Sequence, residues 1–97
     1  MPTYVSLIKL TNQGVTTIKD GPARLDAGKK TLEAFGSELK AFYLVLGRYD
    51  IVTISDAPDD IAAAKVALAI GSAGNVTTET LRAFTEDEYR QIVAALP

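Results

Sequence analysis

The chain contains no cysteine, no histidine and no tryptophan. Without cysteine there is no disulfide, thiolate metal site or thiol nucleophile. Without histidine the commonest general base and nitrogen metal ligand are missing as well. Any acid–base chemistry must therefore rest on tyrosine, aspartate, lysine or arginine. Positive charge is also in short supply. Ten Lys and Arg stand against twelve Asp and Glu, a net charge of −2, which excludes the basic footprint of a nucleic-acid binder. Met1–Leu10 lacks the positive start and long apolar run of a signal peptide. No stretch approaches the roughly 20 apolar residues of a spanning helix. The expectation is a soluble cytoplasmic domain with neither a membrane nor a nucleic acid as partner. What is present is 97 residues, 47% of them hydrophobic, enough for one folded domain, residues 1–97, and no second.

The apolar pattern alternates between strand and helix periods. Thr3–Leu10, rich in β-branched and aromatic residues, reads as a strand that stops at Thr11–Gly14. Val15–Lys19 suits a short helical turn, interrupted at Asp20-Gly21-Pro22. A helix follows from Pro22, with Leu25, Leu32 and Phe35 at helical spacing and Gly36 closing it. Leu39–Leu46 and Tyr49–Ser55 read as paired strands joined by a two-residue turn at Gly47-Arg48. Pro58-Asp59-Asp60 opens a helix through Ile70, with proline and acids at its positive end. Val76–Phe84 is the last strand. Thr85 and Glu88 then form a capping box, Phe84 and Tyr89 a staple, and Tyr89, Ile92, Val93 and Leu96 one helical face.

This order, β-α-β-β-α-β with a C-terminal helix, predicts an α+β, ferredoxin-like fold: a four-stranded antiparallel sheet with two helices on one face. The strands are apolar on both faces. Phe42, Leu44 and Leu46 fall on one side of the second strand, with Ala41, Tyr43 and Val45 on the other. A sheet open to water on one face should alternate cleanly between apolar and polar. The second face therefore calls for a cover, and a second copy of the chain related by a twofold axis supplies it, giving a dimeric barrel.

Polar groups concentrate in Leu46–Ile51. Tyr49 can donate a phenolic proton and Asp50 can accept one, or both can be structural, with Gly47 making the turn and Asp50 holding backbone amides. Lys9, Arg24 and Arg48 are the candidate ligand-binding cations, suited to a small anionic ligand. Each also has a solvated or salt-bridged alternative. Asp56, Asp59 and Asp60 fit a divalent ion or, better, the start of a helix. Gly71-Ser72-Ala73-Gly74 lacks the phosphate-loop pattern. Neither a metal nor a cofactor is expected.

Gly47-Arg48-Tyr49-Asp50, followed by Ile51-Val52, Asp56-Ala57-Pro58-Asp59-Asp60 and Gly74-Asn75-Val76, resembles the GYD-domain family, small bacterial and archaeal proteins named for a glycine, tyrosine and aspartate in this hairpin. Thr11 with Gly14, Pro22 with Arg24, and Thr85 through Tyr89 extend the resemblance over nearly the whole chain. It departs from the family pattern in Arg48, between glycine and tyrosine, and in Asp56, in place of a glutamate. The resemblance implies a fold similar to the dimeric α/β barrels. That superfamily includes isomerases, cofactor-free monooxygenases, haem-handling proteins and ligand-binding regulators. Three functions follow as expectations. The first is a homo-oligomeric small-molecule-binding or regulatory module. The second is a small cofactor-independent isomerase or oxygenase using Tyr49 and Asp50. The third is a purely structural assembly protein.

Overall fold

The computed structural model describes all residues, 1–97. In chain order the elements are β1 (Thr3–Leu10), α1 (Asn12–Thr16), a 3-10 turn at Ile18–Asp20, α2 (Gly21–Ala34), β2 (Glu38–Leu44), β3 (Ile51–Asp56), α3 (Asp60–Ser72), β4 (Val76–Ala83) and α4 (Glu86–Ala94). The strands form one sheet in the order β2-β3-β1-β4 with every neighbour antiparallel. This is the expected ferredoxin-like, α+β arrangement. The single turn expected at Val15–Lys19 is instead a short helix capped by Thr11, followed by the 3-10 turn that leads into α2.

Local chemistry sets the boundaries. The Asp59 carboxylate accepts from the Ala62 amide at 2.8 Å and starts α3. α2 has proline in its first turn and ends before Gly36, whose φ of +70° lies in the left-handed region that glycine occupies without strain. Thr85 and Glu88 cap α4 reciprocally, as expected.

Strand periodicity places alternate side chains on opposite faces. Tyr4, Ser6, Ile8 and Leu10 of β1 face α2 and α3, while Val5, Leu7 and Lys9 point the other way. A bulge at Leu39/Ala41 shifts the phase of β2, so Leu39, Phe42 and Leu44 all turn to the helices.

One expectation needs correction. Gly47-Arg48 is not a two-residue turn: β2 ends at Leu44 and β3 begins at Ile51, leaving six connecting residues, Val45–Asp50. Asp50 explains this. Its backbone N–H donates to Ile8 O at 2.9 Å and its C=O accepts from Val45 N at 2.8 Å. With Asp50 pinned to β1, the chain must loop outward between Leu46 and Tyr49, and Leu46 lies 99% exposed, not in the strand.

Only six residues are buried, among them Tyr4, Leu32, Ala57 and Ala62. α2 and α3 stand over the sheet without filling the space beneath them. α4 packs little against the rest of the chain, and its Tyr89, Ile92, Val93 and Leu96 stripe is exposed.

Candidate functional site

The family-matching residues mostly build one corner of the molecule. Gly14 is buried directly against the backbone of Asn75: a Cβ there would lie 2.1 Å from Asn75 O. The Thr11 amide donates to the same oxygen at 3.0 Å, and the Thr11 hydroxyl donates to Gly74 O at 2.6 Å. Gly74 has a φ of +83°, which aims that carbonyl inward. Gln13 Nε2 donates to Asn75 Oδ1 at 2.9 Å. The Arg24 guanidinium crosses from α2 to donate to Gly14 O and to the backbone oxygen and hydroxyl of Thr17 at 2.8–3.1 Å. Distant segments that look like separate motifs in the sequence thus converge on a single joint.

Tyr49 and Asp50 belong to the opposite edge of the same corner and do different jobs. Asp50 Oδ2 accepts from the Leu10 amide at 2.8 Å and so supplies a partner at the end of β1. Tyr49 donates to Glu79 Oε2 of β4 at 2.7 Å. That bond, followed by burial of the phenol, holds the Tyr49 pKa above its ordinary value. Tyr49 and Asp50 share no hydrogen bond with each other or with Lys9.

The three candidate cations are dispersed. Lys9 is exposed and lies on the sheet face away from the helices; Arg48 is exposed in the connecting loop; Arg24 alone lines the space between helices and sheet. Asp56, Asp59 and Asp60 diverge too. Asp56 accepts from the Thr3 hydroxyl at 3.3 Å and faces Lys40 at 3.8 Å, while Asp59 caps α3. No three His, Cys, Asp or Glu side chains come together in a group that could hold a metal ion.

Two features escape the sequence reading. Asp60 accepts a 2.5 Å hydrogen bond from the Tyr4 hydroxyl, 56 positions away. Tyr4 is 3% exposed, and burial together with the Asp60 carboxylate pushes its pKa up to about 12. Nothing local in either segment signals this pairing.

The second feature is a cavity of about 520 Å³ between the sheet and helices α2 and α3. Its roof is mainly aliphatic, with Leu25 and Leu32 from α2 and Val66 and Ile70 from α3, and with Arg24, Lys29 and Thr31 of α2 as its polar members. Its floor runs from the Ser6, Thr53, Ser55 and Thr80 hydroxyls to the apolar Ile8, Leu10, Leu44 and Ile51. Lys9, Arg48, Tyr49 and Asp50 take no part in its lining. Volume and composition fall within the range of small-molecule sites.

On the opposite face, Ala41, Ile54, Val5 and Leu81 form a continuous cross-strand row, with Tyr43, Val52 and Leu7 beside it. No element of the chain covers this row. No helix is long and apolar enough to cross a membrane.

The chain matches the family described as the GYD domain over residues 4–93. A Thermus thermophilus protein named glutamine synthetase and cystathionine beta-lyase binding protein is 39% identical over 84 residues, covering 86% of this chain and 88% of the relative. Among solved structures, a feast or famine regulatory protein from M. tuberculosis, complexed with L-methionine, superposes with a TM-score of 0.63 at 21% identity. That match covers 90% of this chain and 54% of the regulatory protein, so the chain spans about half its length. At that level of identity the likeness is one of fold.

Proposed function

The chain belongs to the GYD-domain family, and from that premise we propose that it is a homo-oligomeric binding and regulatory module, which takes up a small molecule and docks onto metabolic enzymes. The observation that carries this reading is the uncovered aliphatic row Ala41–Ile54–Val5–Leu81 across the sheet. Water against such a row is unfavourable by ~25 cal/mol per Å², and a twofold-related copy presents the same row in return. Docking onto enzymes is supported by the Thermus relative, whose name states that it binds glutamine synthetase and cystathionine beta-lyase. A small-molecule role is supported by the cavity on the helix side of the sheet. The residues a catalyst would draw on, Tyr49 and Asp50, are each engaged in bonds that join strands.

Size-exclusion chromatography with light scattering tests the assembly. The expected result is a dimer or larger species that Val5→Arg shifts towards monomer with an unchanged circular dichroism spectrum. A wild-type monomer at micromolar concentration overturns the assembly claim. Interferometry against immobilised glutamine synthetase from the same source tests the regulatory claim. Saturable binding supports it, and none at any concentration reached overturns it.

A further inference from the structure

We propose that the space between the sheet and helices α2 and α3 binds an uncharged amphipathic molecule: an aliphatic or aromatic body carrying one hydroxyl, carbonyl or amide head. This rests on the small-molecule part of the reading above and names its ligand class and site. Protein interiors are packed to the density of organic crystals. About 520 Å³ of largely apolar-lined space inside a 97-residue chain is therefore a standing cost that an occupant relieves.

A second observation points to the same site. Ser37, which lines the cavity, is 6% exposed and its hydroxyl has no hydrogen-bond partner. A buried hydroxyl left unpaired is unfavourable, and a ligand head group at this end would satisfy it. The register of the sheet places Ser37 just ahead of β2, beside the end where Leu39 pairs with Ser55 and Ser55 with Tyr4. The hydroxyl-bearing Ser6, Thr53 and Thr80 follow, and the other end is closed by Ile8, Ile51 and Leu44. The strand floor is thus richest in hydroxyls at the Ser37 end and mostly aliphatic at the other, where Thr78 beside Ile8 carries the one hydroxyl.

Charge selects the head group. The lining contains no Asp or Glu to receive a cation. At the polar end the Tyr4 hydroxyl already donates its proton to Asp60, so it has none to offer an anion. Of the two cations in the wall, Arg24 already donates to three oxygens of the α1 corner, and Lys29 is exposed on α2, where water solvates its ammonium. A neutral hydrogen-bonding head is what remains.

Three probes that share one alkyl chain and differ in head group test this: decanol, decanoate and decyltrimethylammonium, each titrated below its micelle concentration into the intact protein and followed by amide chemical shifts. Decanol should bind saturably, shifting Ser37, Thr53 and Val66. Ser37→Ala should weaken it about tenfold, the loss of one buried hydrogen bond. Val66→Trp, which fills the space, should abolish it, and should Val66→Trp not fold, the Ser37→Ala comparison decides alone. No saturable binding of decanol to the folded wild type overturns the site, as does undiminished binding to a folded Val66→Trp. Tighter binding of either charged probe overturns the neutral head. Light scattering on the same samples reads the assembly separately, so a dimer without ligand overturns this proposal and leaves the assembly standing.

Discussion

Gly14→Ala is the sharpest test of the corner that joins β1, α1 and β4. The new methyl would lie 2.1 Å from Asn75 O, 3.1 Å from Asn75 C and 3.2 Å from Leu10 Cδ2. Two of the three neighbours are backbone, so relief requires α1 and the Gly74–Asn75 segment to part by about 1 Å, the shortfall from van der Waals contact. That movement stretches the bonds from the Thr11 amide and hydroxyl and from Gln13 across the joint. Losing two of them at about 1 kcal/mol each, with overpacking strain of about 1–3 kcal/mol, outweighs the gain of about 0.5–1 kcal/mol from replacing a helical glycine. The expected net loss is about 2–4 kcal/mol, read as a lower urea midpoint at constant slope. Gly28→Ala is the control. It is also in a helix, with nothing within 4 Å of its would-be Cβ, and should stabilise by up to ~1 kcal/mol. A Gly14→Ala protein as stable as Gly28→Ala would refute the close-approach argument.

Three further outcomes follow from the same geometry. Asp50→Ala should lose about 1.5–3 kcal/mol, the worth of a hydrogen bond to a charged group, while Asp50→Asn, which still offers an oxygen to the Leu10 amide, should retain most of it; equal thermal midpoints for the two would count against the clamp. Because the Tyr4 pKa is raised from 10.0 to about 12 in the folded state, the native protein holds that proton longer than the unfolded chain. This contribution is fully present below pH 10 and is lost as pH rises towards 12, so urea titrations should show a decline there that Tyr4→Phe removes. The Glu88 carboxyl is held below its ordinary value of 4.5, chiefly by the Thr85 amide. Its contribution is present above that pH and fades as pH falls, so the protection of α4 amides relative to their intrinsic exchange rates should fall in acid, and Thr85→Ala should produce the same fraying at neutral pH by weakening the cap about 1 kcal/mol. Unchanged exchange in α4 for Thr85→Ala would show that other contacts hold the helix.

The uncovered sheet face and the unfilled space beneath the helices occupy opposite sides of one four-stranded sheet. The strand period of two makes this possible: Val5 and Leu7 serve the open face while Ser6 and Ile8 serve the cavity. A ligand seated among the helices and a partner seated on the sheet would therefore touch alternate residues of the same strands. β1 and β3, central in the sheet, run between both.

The fold was legible because its signals are local. The Thr85–Glu88 box, the Asp59 cap, Pro22 and Gly36 each act within a turn of where they stand. The apolar residues on both faces of Leu39–Leu46 and Tyr49–Ser55 raise the expectation of a cover for the second face from the sequence itself. The family signature could likewise be recognised residue by residue in the chain. What those residues do was not legible. The sequence favours a structural role for Asp50 without saying which amide it holds until Leu10 N is seen 2.8 Å away, and it leaves Arg24 between a surface salt bridge and an anion site until Arg24 is found donating to Gly14 and Thr17. The two-residue turn failed for the same reason: β1, 40 positions back, holds Asp50 and forces the loop open.

Composition alone removed histidine and cysteine chemistry, and periodicity alone ordered the strands and helices, because each is a property of residue type or of neighbours within a few positions. Only the tertiary structure could pair Tyr4 with Asp60, seat Asn75 against Gly14, and leave Ser37 facing an unfilled cavity. Those contacts join residues tens of positions apart, and their existence depends on how the layers meet.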